Sequence, residues 1–210
     1  ETRAAMVMTL FGALGRGGSS GALGNDLDSE LLQSLRAWAD VVLVSASTVT
    51  AEDYGPADTP LAILSRSLDL STSLGVFSGR EVIVACPEQS LIDDSLADRR
   101  RALEQAGARF VSTGTGSLGE AVDALRSEGF HRIACEGGPS VYAAMIGADL
   151  LDVIHLTLDP TVSNDDSTWG LPAIAQQAEF ARRYALEATH ATDDGTLFLR
   201  YLRAGDRSEH

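Results

Sequence analysis

Apolar positions along this chain fall into two alternating rhythms. Short apolar runs at 5–11 (AMVMTLF), 41–44 (VVLV), 61–64 (LAIL), 82–86 (VIVAC), 110–111, 132–135 and 153–158 (VIHLTL) read as strands. Runs with no polar face suit strands covered on both sides. Between them, residues 29–39 place Leu31, Leu32, Leu35 and Trp38 on one helical face, with Asp26 or Asp28 available as the cap. Helices are also expected over 93–106, 117–127 and 140–147. Beyond residue 158 the style changes. Pro160 and Pro172 flank a polar loop, 161–171, and Asp193-Asp194-Gly195 joins two β-prone runs, 182–190 and 196–203, which is a hairpin signal. The tail, GDRSEH, is expected to fray. Together these elements predict one α/β domain over 1–210. It is a three-layer α/β/α sandwich with a mostly parallel central sheet and a C-terminal antiparallel hairpin.

Charge narrows the partners. The chain carries 30 acidic and 16 basic residues, a formal net charge of −14, and every basic residue is Arg. Schiff-base and P-loop lysines are therefore excluded. A nucleic-acid partner is not expected, because phosphate neutralisation needs a basic surface. Any anionic ligand has to be met by Arg, backbone N–H groups or a helix N-terminus. Cys86 and Cys135 close apolar runs and read as buried free thiols. No C-x-x-C occurs, and His131, His155, His190 and His210 lack metal-ligand spacing, so no metal is expected. With no run approaching the roughly 20 apolar residues of a membrane span and no signal-peptide pattern, a cytoplasmic protein is expected.

Four segments carry candidate chemistry, each beside a plainer reading. Gly114-Thr115-Gly116-Ser117-Leu118-Gly119 matches G-x-G-x-x-G, with Glu136 17 residues further on. This resembles a Rossmann dinucleotide fingerprint, or it is a connecting loop into a helix capped by Ser117. Glu136-Gly137-Gly138-Pro139-Ser140 sits between a strand and a helix. There, two glycines allow close approach and the helix N-terminus offers unpaired N–H groups to a pyrophosphate; the plain alternative is a turn. Ser45, Ser47, Thr48 and Thr50, followed by Glu52, leave room for a cofactor or cap a short helix. Ser65-Arg66 ends a strand, where Arg can hold a phosphate monoester or simply face solvent. The acidic pairs Asp93-Asp94 and Asp165-Asp166 read as solvated loops or caps, and Arg99-Arg100-Arg101 as an exposed helix face.

In order, these segments resemble the reductase domain of bacterial riboflavin biosynthesis, of the dihydrofolate-reductase-like superfamily. The resemblance runs from about Met6 to Leu202. It is sharpest at Cys135-Glu136-Gly137-Gly138-Pro139-Ser140-Val141, at Gly147 to Asp152, and at Leu35-Arg36-Ala37 through Ala39-Asp40-Val41-Val42-Leu43-Val44 to Thr48 and Pro56. It implies NADPH-dependent reduction of 5-amino-6-(5-phosphoribosylamino)uracil, a phosphorylated pyrimidine, to the ribitylamino product. Related readings are a reductase acting on a pterin or dihydrofolate, and a non-catalytic nucleotide-binding paralogue. By analogy, Gly137, Gly138, Pro139, Ser140, Val141 and Tyr142 would hold the NADPH pyrophosphate. Thr48 and Glu52 would contact the cofactor, and Ser65 and Arg66 its 2′-phosphate. Ser20, Arg36 and Glu136 would contact the substrate, and a homodimer is expected. The chain also departs from the pattern. Phe11 stands where the family's first strand carries an acid, Ser45 and Ser47 replace glycines, and Thr50 replaces a frequent Arg.

Overall fold

The computed structural model describes residues 1–164, 167–169, 171 and 180–204. Asp165-Asp166, Pro172 and the tail 205–210 lie outside the described residues. Strands and helices follow the order β1 (Thr2–Thr9), β2 (Ala13–Arg16), α1 (Asp26–Trp38), β3 (Val41–Ser45), α2 (Ala46–Ala51), β4 (Leu61–Leu64), β5 (Val82–Cys86), α3 (Glu88–Ile92), α4 (Ala97–Gln105), β6 (Ala108–Ser112), α5 (Leu118–Ser127), β7 (Ile133–Gly137), α6 (Pro139–Gly147), β8 (Val153–Asp159), β9 (Ser167–Trp169), β10 (Tyr184–Ala191) and β11 (Leu197–Arg203). Nine strands form one sheet in the order β10-β11-β8-β1-β7-β3-β4-β5-β6. The seven strands from β8 to β6 are parallel, and β11 and β10 add an antiparallel hairpin at one edge.

The buried strands alternate between two cores, which is the period of two in a pleated sheet. Val41 and Leu43 pack in the cluster that holds Val122, Leu125, Val141 and Met145 of α5 and α6. Val42 and Val44 pack in the cluster that holds Val49 of α2 and Leu103 of α4. All four valine and leucine side chains of this run are fully buried or nearly so. Each such side chain contributes about 1.5–3 kcal/mol relative to exposure, so β3 anchors both layers. Cys86 and Cys135 are free and buried, as their apolar surroundings predict.

Some boundaries differ from the pattern reading. Strand β1 stops at Thr9, because Gly12, at φ +85°, turns the chain back to donate to the Thr9 carbonyl. Helix α1 starts at Asp26, since the Asn25 side chain accepts from the Asp28 amide and is the cap; Asp26 and Asp28 lie inside the first turn. The helix expected over 93–106 is interrupted. Asp93 accepts from the Ser95 amide, a 3-10 turn covers Asp94–Leu96, and only then does α4 begin. The glycine-rich stretch expected as loop contains β2, which pairs with β9 in a separate two-stranded sheet.

Candidate active site

The site forms where the sheet splits. Strand β1 pairs with β7 only over Thr2 to Ala4, while its pairing with β8 continues to Thr9. Beyond Cys135, β7 parts from β1, keeps Gly137 paired with Val44 of β3, and turns into α6. The Tyr142 hydroxyl of α6 donates to the Ala5 carbonyl, one residue beyond the last β1–β7 pair. A cavity of about 270 Å³ opens beside this divergence, bounded by β1, β8, α1, α2, the start of α6 and the β2 segment.

Its first wall is the glycine turn. Gly137 adopts φ +78°, and a Cβ there would lie 2.3 Å from the Tyr142 ring. At Gly138 a Cβ would lie 2.7 Å from Thr48 Oγ1, the atom that accepts the Gly138 amide at 3.0 Å. Thr48 is held in place from α2, whose cap, Ser45, accepts from the Thr48 amide at 3.1 Å. Pro139 occupies the first turn of α6, and no side chain caps that helix. Its leading amides and positive dipole end thus remain available to an anion. A nucleotide pyrophosphate fits this cradle: glycines give close approach, and the ligand needs no lysine.

A second wall holds Glu136. Arg36, in the last turn of α1, grips it with Nε at 2.7 Å and Nη2 at 2.6 Å, and Tyr54 donates at 2.7 Å. The Glu136 side chain is only 3% exposed. A buried carboxylate is tolerated here because three charge-assisted or hydroxyl bonds satisfy it. The Glu136 hydrogen bond raises the Arg36 pKa, and burial with the adjacent Glu136 charge raises that of Tyr54. Both stay protonated at neutral pH. Glu52 is held similarly, by the Ser19 hydroxyl and the Ser20 amide, each at 2.7 Å.

The third wall was not legible as a site in the sequence. Asp28, three residues beyond the α1 cap, points to β8 and accepts from Thr157 Oγ1 at 2.5 Å. Burial, opposed by the Thr157 bond and assisted by nearby Asp159, raises its pKa. His155 lies two residues before Thr157 on the same strand. Its Nε2 is buried and has no partner among the described residues. Burial and the charges of Arg200 and Arg3, opposed by Glu1, push its pKa down to about 4, so it is a neutral imidazole at pH 7. Period two along β8 was the available signal: His155 and Thr157 share a face, and in VIHLTL they are the polar members.

The structure thus brings together most of the residues expected by analogy. Ser20, Thr48, Glu52, Glu136, Gly138, Pro139 and Tyr142 line the cavity. Gly137 packs beneath it on Tyr142. Ser140 is exposed at the helix start, and the Val141 side chain points into the core, leaving only its amide for a ligand. Arg36 is turned onto Glu136 and lies outside the lining. Ser65 is buried and also lies outside the lining, while exposed Arg66 donates to the Gly116 carbonyl at 2.9 Å.

The glycine loop 114–119 is not a second cradle. Ser117 and Glu120 form a capping box at α5. The Glu120 carboxylate takes the Thr115 and Ser117 amides and both hydroxyls, and these bonds lower its pKa to about 2. A carboxylate therefore occupies the place a pyrophosphate needs. Moreover, β6, which feeds this loop, is the sheet's edge strand.

The fold and the split-sheet cavity define the dihydrofolate-reductase-like α/β class. Within that class the chain belongs to the family of the RibD C-terminal domain, whose model matches residues 3–171. Its fold is similar to that of a pyrimidine reductase-like protein from Corynebacterium diphtheriae, with a TM-score of 0.87, 28% identity, and 98% of this chain and 92% of that one covered. It also resembles a diaminohydroxyphosphoribosylaminopyrimidine deaminase/5-amino-6-(5-phosphoribosylamino)uracil reductase from Thermotoga maritima, with a TM-score of 0.75, 16% identity, and 97% of this chain and 56% of that one covered. Dihydrofolate reductase from Enterococcus faecalis shares the fold at a TM-score of 0.56 and 13% identity, with 97% and 96% covered. No curated protein sequence matches the chain. The family is one of riboflavin-biosynthesis reductases. No helix among the described residues is long and apolar enough to cross a membrane.

Proposed function

We propose that this protein is an NADPH-dependent reductase of a C=N bond in a substrate built on an aminopyrimidine ring. The form implied by the family is reduction of 5-amino-6-(5-phosphoribosylamino)uracil to its ribitylamino product. The observation that carries the reading is the uncapped N-terminus of α6 over Gly137 and Gly138, set beside a cavity with a half-buried carboxylate, Asp28, among its lining residues.

When bound, NADPH supplies a hydride to the carbon of the C=N bond. This chain's residues do the rest. The Gly138 cradle and the α6 amides hold the pyrophosphate, while Thr48 fixes the Gly138 amide. Arg66 is the cation available to the 2′-phosphate. The nitrogen of the reduced bond must gain a proton, and burial favours the protonated form of Asp28, so Asp28 is the group suited to hold it. Glu136, locked by Arg36 and Tyr54, is a rigid acceptor for ring N–H groups.

The test is a titration of the purified protein with NADPH, followed by nucleotide fluorescence. Saturable one-to-one binding that is displaced by NADP⁺ is expected. A protein that leaves the nucleotide spectrum unchanged at millimolar concentration contradicts the reading.

A further inference from the structure

Helix α1 serves two separate spaces. Asp28, Leu31 and Leu32 line the cavity described above. Leu27, Glu30, Leu31 and Ser34, three and four positions apart and so on one side of the helix, line a second cavity of about 370 Å³. This second space lies between α1 and the C-terminal hairpin. The two elements are tied at the hairpin tip, where Asn25 Nδ2 donates to Asp194 Oδ2 at 2.9 Å. Beyond that tie the helix and the hairpin stand apart, and Leu27 remains 36% exposed.

The floor of the second cavity follows from strand register. Residues directly opposite one another in neighbouring strands project from the same face of a sheet. His155, Arg200 and Ala188 form one such row across β8, β11 and β10, and Thr157, Phe198 and His190 form the next. Thr157 donates to Asp28 of α1, so this is the face that α1 covers. Both rows begin at the first cavity and end in the second. Among the described residues, Leu31 and His155 are common to the two linings and form the partition between them.

Three features define an occupant. The leucines of α1 stand on one side and the Phe198 ring on the other, with the His190 ring beside it at a centroid distance of 6.3 Å; a flat ring placed between them is covered on both faces. Arg200 is paired with Glu187, so its charge is already met and the floor does not call for an anion. His155 Nε2 is buried and has no partner among the described residues. A neutral imidazole at pH 7 can donate or accept one hydrogen bond there, according to its tautomer. The volume falls within the range of about 300–1,000 Å³ typical of small-molecule sites.

We infer that the cavity between α1 and the β10–β11 hairpin is a second binding site, for an uncharged planar heteroaromatic molecule whose polar edge meets His155. It is separate from the nucleotide cradle of α6 and does not depend on the reductase reading.

The test uses acridone, a fluorescent, uncharged tricycle with one N–H and one C=O, titrated against the whole protein with and without saturating NADP⁺. Saturable one-to-one binding is expected, changed less than twofold by NADP⁺. Ser34→Trp and Ala188→Trp, at exposed positions on opposite walls, put an indole into the cavity. Each is expected to weaken acridone binding at least tenfold while leaving the far-UV circular dichroism unchanged; if one fails to fold, the other decides. His155→Ala is expected to lose at least fivefold. Acridine-9-carboxylate, a planar anion, is expected to bind at least tenfold more weakly than acridone. No saturation up to the solubility limit, binding untouched by either tryptophan, displacement by NADP⁺, or equal affinity for the carboxylate each overturns the inference. So does a dimer in sedimentation velocity that a tryptophan variant dissociates, because a second copy then covers this face.

Discussion

Single residues carry the polarity of the site, and they differ in how far the sequence displayed them. Glu136, Gly138 and Thr48 stood out because small, hydroxyl and acidic residues followed apolar runs. Asp28 did not, because an acidic residue near a helix start is ordinarily a cap or a dipole partner; only tertiary contact with Thr157, 129 positions away, gives it another role. The mutual engagement of Arg36 and Glu136, 100 positions apart, was likewise hidden, and each had been expected to meet the substrate separately. His155 offers a direct check on the burial of this wall. Its pKa in the fold, about 4, lies below the 6.5 of a free imidazole. The neutral fold is therefore favoured above pH 6.5, and that contribution is lost as pH falls from 6.5 towards 4. After allowance for solvent screening it amounts to about 1–2 kcal/mol. Urea denaturation at pH 7 and pH 4.5 should show this loss in the wild type and a smaller loss in His155→Gln; equal losses in the two proteins would place His155 in solvent.

At the scale of elements, the apolar rhythm predicted most of the strands, because a strand buried on both faces has few alternatives. The hairpin of β10 and β11 was equally clear from Asp193-Asp194-Gly195. What failed were boundaries set by side-chain bonds to backbone. Asn25 moved the start of α1, and Asp93 broke the helix expected over 93–106. The short β2 was unreadable among glycines because its partner, β9, comes some 150 residues later. The two glycine motifs looked alike in sequence and differ in what occupies the helix start. At α5 it is the protein's own Glu120; at α6 no side chain does so. This contrast is testable. Gly138→Ala places a methyl group 2.7 Å from Thr48 Oγ1 and should weaken NADPH binding at least tenfold. Glu120→Ala should leave NADPH binding within twofold. The reverse pattern, measured by the same nucleotide titration, would return the cofactor to the loop 114–119.

For the whole molecule, the split between β1 and β7 is the feature that turns a mostly parallel sheet into a site. Ligands of open α/β sheets collect beyond the C-terminal ends of parallel strands, where neighbouring connections diverge, and here the opening is backed by α6 on one side and α1 on the other. Net charge acts at the same scale. A protein at −14 binds an anionic nucleotide through local backbone donors rather than through its overall field. The most direct test of this account is NADPH oxidation followed at 340 nm with 5-amino-6-(5-phosphoribosylamino)uracil as substrate. The account predicts NADPH-dependent turnover, reduced at least a hundredfold in Asp28→Asn. Turnover that survives Asp28→Asn unchanged, or none in a protein that binds NADPH, would contradict it.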